Sequence, residues 1–153
     1  MAIMAGKTLG TVTTSMIKGL VLLLALAVGG LVHLDPVGLM VTVAFMFVIS
    51  AAFVALGIAV AALMSDPHGF QLIMNFLIMP VFFLSGALFP LEGLPRWLGV
   101  LTRINPLTYG VDGMRYALGG PHEFSPLFDF VILTIFSIGA TLVGTILFKR
   151  MPA

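Results

Sequence analysis

From Val37 to Met64 the chain runs for 28 residues without a single charged side chain. A helix of that length is about 42 Å long, more than the ~30 Å of hydrocarbon in a bilayer. In lipid, a backbone must satisfy its own polar groups, which leaves a helix or a closed barrel as the only spanning forms. Three more windows follow the same rule. Met16 to Leu34 is interrupted only by Lys18, near enough to its start for the ammonium to reach the surface. Phe70 to Phe89 carries Gln71, Asn75 and Ser85, with Pro80 in its middle predicting a kink or a broken helix. Phe130 to Phe148 is closed by Lys149 and Arg150. Charged residues make up 8% of the chain, against about a quarter in a soluble domain. The sequence therefore predicts an all-α integral membrane protein, a single transmembrane domain over 1–153 with four transmembrane helices and an interfacial lead-in over 1–15.

Lysine and arginine in short loops set orientation. Lys7, Lys18, Lys149 and Arg150 lie at the two chain ends, which four spans put on one side, so both termini are expected in the cytoplasm of a multi-pass cell-membrane protein. The connection over 65–69 shares that side. The turn at Asp35 and the long segment 90–129 lie opposite, outside the cell. Several function classes drop out. A formal net charge of +1 without a basic stripe excludes a nucleic-acid partner. With no cysteine there is no disulfide, thiolate metal site or cysteine nucleophile. AGKT at 5–8 has the end of a phosphate-binding loop but lacks its first glycine and its preceding strand, so no nucleotide cofactor is expected on this chain. His33, His68 and His122 fall in three separate connections without metal-ligand spacing, and Ser85 lies in LSGA, which is no nucleophile elbow. The apolar start is too long, and followed by too many spans, for a cleaved signal peptide.

The outer segment holds three arginines and four acids. Within it, Leu94, Trp97, Leu98 and Leu101 recur at helical spacing opposite Arg96, Thr102 and Arg103, predicting an amphipathic helix over 94–104. Asn105 and Pro106 supply the cap and first position of a second helix, with an apolar face of Leu107, Val111, Met114 and Leu118 and an opposite-charge pair, Asp112 and Arg115, at i, i+3. Gly119-Gly120-Pro121 stops it. Each piece is about half as long as the hydrocarbon is thick, so the pair either dips in as a re-entrant hairpin or lies on the outer surface. Gln71 and Asn75, one turn apart, are candidates for interhelical hydrogen bonds or for lining a path. Ala51, Ala55 and Ala59, and Ser137, Thr141 and Thr145, are candidate close-packing faces. Asp66 suits a helix cap or a contact with a partner on the inner side.

The stretch from Ser65 to Gly120 resembles the membrane-spanning subunit of ABC transporters of the type 2 exporter family. The resemblance rests on PVFFLSGALFP at 80–90, on Leu94, Pro95 and Trp97, on Asn-Pro-Leu-Thr-Tyr at 105–109, and on Asp112 and Arg115. It implies a half-transporter that pairs with a second permease subunit, a homodimer, around a substrate path. Separate ATP-binding cassette subunits carry ATP and magnesium on the cytoplasmic side. By the same resemblance the outer helices gate the path through Pro90, Trp97, Asn105, Pro106, Tyr109, Asp112 and Arg115, with Asp112 and Arg115 pairing to hold the gate helix. The implied cargo is a hydrophobic drug or lipid-like molecule, with a polysaccharide or lipid-linked glycan as the rival. A non-transporting assembly or regulatory subunit is the reading from another class. Such subunits have six spans, and this sequence starts where the third would be approached, so two N-terminal spans are expected to be missing.

Overall fold

The computed structural model describes residues 2–30, 32, 35–64, 66–88 and 95–149. Among these residues there are six helices and no strand: α1 (Ala2–Val28), α2 (Pro36–Ala61), α3 (Pro67–Phe83), α4 (Arg96–Ile104), α5 (Pro106–Ala117) and α6 (Pro126–Lys149). Three of them start with proline behind a capping side chain. Asp35 accepts from the Gly38 N–H, Asp66 from those of His68 and Gly69, and Asn105 from that of Leu107. Proline costs nothing at these positions, because the N–H it lacks would have had no partner within the helix.

Three helices are long and apolar enough to cross a membrane: Thr8–Val28, Pro36–Ala61 and Pro126–Phe148. The expected first window thus moves toward the N-terminus, and the lead-in is the start of the same continuous helix rather than a separate element. The expected window from Phe70 to Phe89 is also corrected. Its helix has 17 residues, about 26 Å, and stops at Phe83, one turn beyond Pro80. The chain then turns through Gly86, whose φ of 78° a residue with a side chain rarely adopts.

At the centre stands α2, packed by α1, α5 and α6. Along α6 the contacts run in the same direction: Phe45 meets Phe130 edge-on at 5.5 Å, Phe53 meets Phe136 at 6.3 Å, and Gly144 sits against the Ala55 carbonyl. Of the expected small-residue faces, Ala55 and Ala59 are buried on α2 together with Ala52. On α6 Ser137 is buried and the close approach falls on Gly144, while the Thr141 and Thr145 hydroxyls bond to carbonyls one turn back.

α5 runs the other way along α2. The Ala117 carbonyl lies against Gly38, Gly113 against the Phe45 ring, and Gly110 against Ile49. Gly38 and Ile49 are about 16 Å apart along the helix, so α5 covers the Asp35-end half of α2 and begins halfway down it. That contact depends on glycine. A Cβ on Gly113 would fall within the Phe45 ring, which is only 2% exposed and has no room to retreat. We expect Gly113→Ala to lower stability by about 1–3 kcal/mol, whereas Gly99→Ala on α4, with open space around it, is neutral or slightly stabilising. Thermal unfolding of the purified protein in detergent measures both, and equal midpoints would contradict this account of the α2–α5 contact.

Candidate functional site

Each short helix buries polar residues. On α4 the buried residue is Thr102, while Trp97, Leu101 and Ile104 are 66%, 43% and 72% exposed. On α5 the buried residues are Thr108, Tyr109, Gly110, Asp112, Gly113 and Ala117, and the expected apolar face is only half-buried. The buried faces therefore differ from the apolar stripes read from the sequence, while Arg96 and Arg103 stay exposed. In lipid an apolar side chain gains nothing by moving inward, whereas a polar group must find a partner inside the protein.

Those partners are the carbonyls at the end of α3 and beyond. The last carbonyls of any helix lack an N–H within it. Asn105 Nδ2 donates to the Val81 carbonyl at 2.6 Å, while Asn105 Oδ1 caps α5 through the Leu107 N–H at 3.0 Å. Thr108 Oγ1 lies 2.8 Å from the Thr102 carbonyl and 3.3 Å from that of Leu84. Arg115 donates from Nη2 to the Gly86 carbonyl at 2.5 Å. Ser85, 1% exposed, donates to the Phe82 carbonyl at 2.6 Å and receives the Ala87 N–H. Asn105, Thr108 and Arg115 thus form a ladder on α5 that holds the segment from Val81 to Gly86.

The expected pair of Asp112 and Arg115 is not formed. Asp112, 4% exposed, instead receives the N–H groups of Glu123 and Phe124 at 2.8–3.1 Å and so ties the connection after α5 back onto that helix. Backbone partners available in three dimensions displace the i, i+3 contact, which is worth only a few tenths of a kcal/mol. Tyr109 donates its hydroxyl to the Arg103 carbonyl at 2.6 Å, closing α4 onto α5, and its ring meets Phe124 and Phe128. Pro106 is the first residue of α5. Trp97 stands outward on α4, and Pro90 lies outside the described residues.

The other candidates lie apart from this site. Gln71 and Asn75 are exposed on α3, a helix with no buried residue, and neither forms a hydrogen bond among the described residues. Asp66 is an exposed cap at the opposite end of α3. Between the two ends, an apolar cleft of about 410 Å³ opens among Ile49, Phe53, Ile78, Val81, Phe82 and Leu107, with Ser15 and Ser50 as its hydroxyls. Three participants were not selected from the sequence: Thr108, Ser85 as a turn residue, and Asp129. For Thr108 the signal was its position one turn after Asn105. For Asp129 it was an acid followed directly by an uncharged run of 19 residues to Phe148.

The sequence model of the ABC-2 type transporter family matches residues 1–118. Among curated proteins, the transport permease ycf38 of Cyanophora paradoxa is 29% identical over 74% of this chain and 42% of its own length. Nodulation protein J of Rhizobium leguminosarum bv. viciae is 31% identical over 65% of this chain and 38% of its own. The inner membrane transport permease YadH of Escherichia coli (strain K12) is 26% identical over 80% of this chain and 54% of its own. The chain spans about half the length of the curated relatives it matches, or less. No solved structure matches it.

Asn105 is the residue on which the ladder turns, since it caps α5 and anchors α3 at once. Asn105→Ala is expected to cost about 1–3 kcal/mol by removing both bonds. Asn105→Asp keeps the cap but sets an acceptor against the Val81 carbonyl, and should cost at least as much. Amide hydrogen exchange should quicken in the first turn of α5 and at Leu84 and Ser85, leaving α2 and α6 unchanged; unchanged protection in both variants would remove the ladder from the site.

Proposed function

Because the chain belongs to the ABC-2 type transporter family, we propose that it acts as the membrane path of an ATP-driven exporter, with α4 and α5 as the gate on the outer side. The observation that carries this reading is the docking of α5: a helix too short to span, reaching halfway along α2, with its polar face latched to the end of another apolar helix. Such a pair can open by breaking a few hydrogen bonds without unwinding a spanning helix. In the proposed topology α3 is the fourth span. Its ~26 Å is close to the hydrocarbon thickness, and the shortfall is taken up by local thinning of the bilayer. Both termini and Asp66 then face the cytoplasm, and the Asp35 end faces outward.

ATP binding closes a pair of cassette ATPases against the cytoplasmic side, which Asp66 and the first turn of α3 present to them. A second permease subunit, a copy of this chain, completes the path. The gate alternates between the latched state and one in which the end of α3 and the α4–α5 pair separate, and the work comes from the stronger binding of ATP to the closed ATPase pair. The cargo is a hydrophobic or lipid-like molecule. That reading is supported by the apolar cleft between α2 and α3, which ends at the start of α5.

Two measurements test this reading. A complex captured from native membranes through an epitope after Ala153 is expected to contain a soluble ATPase with a complete phosphate-binding loop, and capture of the chain without one would withdraw the transport function. In the captured complex, Arg115→Ala removes a charged hydrogen bond worth about 1.5–3 kcal/mol and is expected to lower coupled export about tenfold. Insertion and ATPase capture should be unaffected. Normal export in this variant would take the ladder out of the gate.

A further inference from the structure

Asp129 has no donor. It lies in the first turn of α6 at 0% exposure, and neither of its carboxyl oxygens has a hydrogen-bond partner among the described residues. Across the α5–α6 contact its carboxyl partner is Asp112, which is itself buried. Two groups that only accept hydrogen bonds when ionised therefore face each other in a site closed to water. Two bare carboxylates in that position would repel without compensation from solvent, an arrangement that folded proteins relieve by keeping one proton between the two.

The surroundings offer no other remedy. On α5, Tyr109 commits its hydroxyl to the Arg103 carbonyl and Arg115 its guanidinium to Gly86. On the connection, Glu123 and His122 have exposed side chains. Along its whole length α2 has no titratable side chain, and on α6 Lys149 is at the far end. The remaining buried hydroxyl without a partner, Thr42 Oγ1, sits on the turn of α2 between Gly38 and Phe45, the residues that touch Ala117 and Gly113. No cluster of three histidine, cysteine or acidic residues that could hold a metal exists among the described residues.

We propose that Asp112 and Asp129 share one proton, carried on Asp129, in a carboxyl–carboxylate hydrogen bond that clasps α5 to the first turn of α6. The direction of the bond follows from the donors already in place. Both oxygens of Asp112 receive N–H groups from Glu123 and Phe124, whereas those of Asp129 receive none, so the O–H is on Asp129 and points to Asp112. Asp129 is then a positioning residue. It holds Asp112, and through Asp112 the connection from α5 to α6, in one arrangement. This inference concerns the resting protein and does not depend on transport.

Infrared spectroscopy of the purified wild-type protein in lipid, with aspartate carboxyl groups labelled with carbon-13, tests the proton directly. We expect the carbonyl band of one protonated aspartate per chain at neutral pH, shifted by the label and by deuterium oxide, and missing from Asp129→Asn. That variant should keep the connection from Gly120 to Ser125 protected from hydrogen exchange, because its amide N–H can donate where the O–H did. Asp112→Asn should lose the protection, because its amide nitrogen would meet the N–H groups of Glu123 or Phe124. A wild-type spectrum with every aspartate ionised at neutral pH overturns the proposal, whether or not a cation is bound. Equal protection in Asp129→Asn and Asp112→Asn overturns the assignment of the proton to Asp129.

Discussion

A helix that ends leaves its last carbonyls without an N–H of its own, and the end of α3 lies against α5. Pro80 contributes no N–H, the helix ends at Phe83, and the chain turns at Gly86. The Val81 carbonyl is met by Asn105 and that of Gly86 by Arg115, the Phe82 carbonyl takes both the hydroxyl and the N–H of Ser85, and the Leu84 carbonyl has the Thr108 hydroxyl at 3.3 Å. An unpaired buried carbonyl costs about 1–3 kcal/mol, a sizeable fraction of the ~5–15 kcal/mol by which domains are stable. The placement of α4 and α5 follows from this need. Asn105, Thr108 and Arg115 reach the end of α3, Trp97 and Ile104 stand outward, and glycine on α5 lets that helix come close to α2.

The parts of the fold that depend on local chemistry were legible in the sequence. Long apolar runs marked α1, α2 and α6, and Asn105-Pro106 marked the start of α5, because a capping side chain followed by a fixed φ is a local requirement. Gly119, at φ 74°, marked the stop of α5. The membrane family was legible too, through motifs spread from Pro80 to Arg115. What failed was inference about which side faces in. Helical periodicity identifies two faces but not the solvent outside them, and the rule that apolar residues go inside holds for water. Thr102, Thr108 and Asp112 are buried for the opposite reason.

The pairing of Asp112 with Arg115 failed on a related ground. Spacing along a helix reveals which side chains can meet, but the partners that won, Gly86, Glu123 and Phe124, lie 11 to 29 residues away and are backbone groups that no pattern displays. Asp129 escaped notice because a window drawn from charge to charge assigns an acid to the loop. The helix in fact starts at Pro126, which puts Asp129 in its first turn, fully buried. Gln71 and Asn75 show the converse limit: sharing a face is not the same as facing a neighbour.

The weak packing of α3 bears on how two ends of the bundle can communicate. It has no buried residue along its 17, and among the described residues its hydrogen bonds to other elements are those of the α5 ladder at its end, while the Asp66 cap closes its own first turn. A helix so held behaves as a rod: a push on the Asp66 end arrives at the ladder with little lost to side contacts. A hydrogen bond of 2.6 Å in the ladder is lost over a displacement of about 1 Å. On the proposed reading, an ATPase acting at the Asp66 end needs to move the rod by no more than that to release the hairpin. The cost is then a few hydrogen bonds rather than the repacking of a core, while the aromatic contacts of α2 with α6 stay closed throughout.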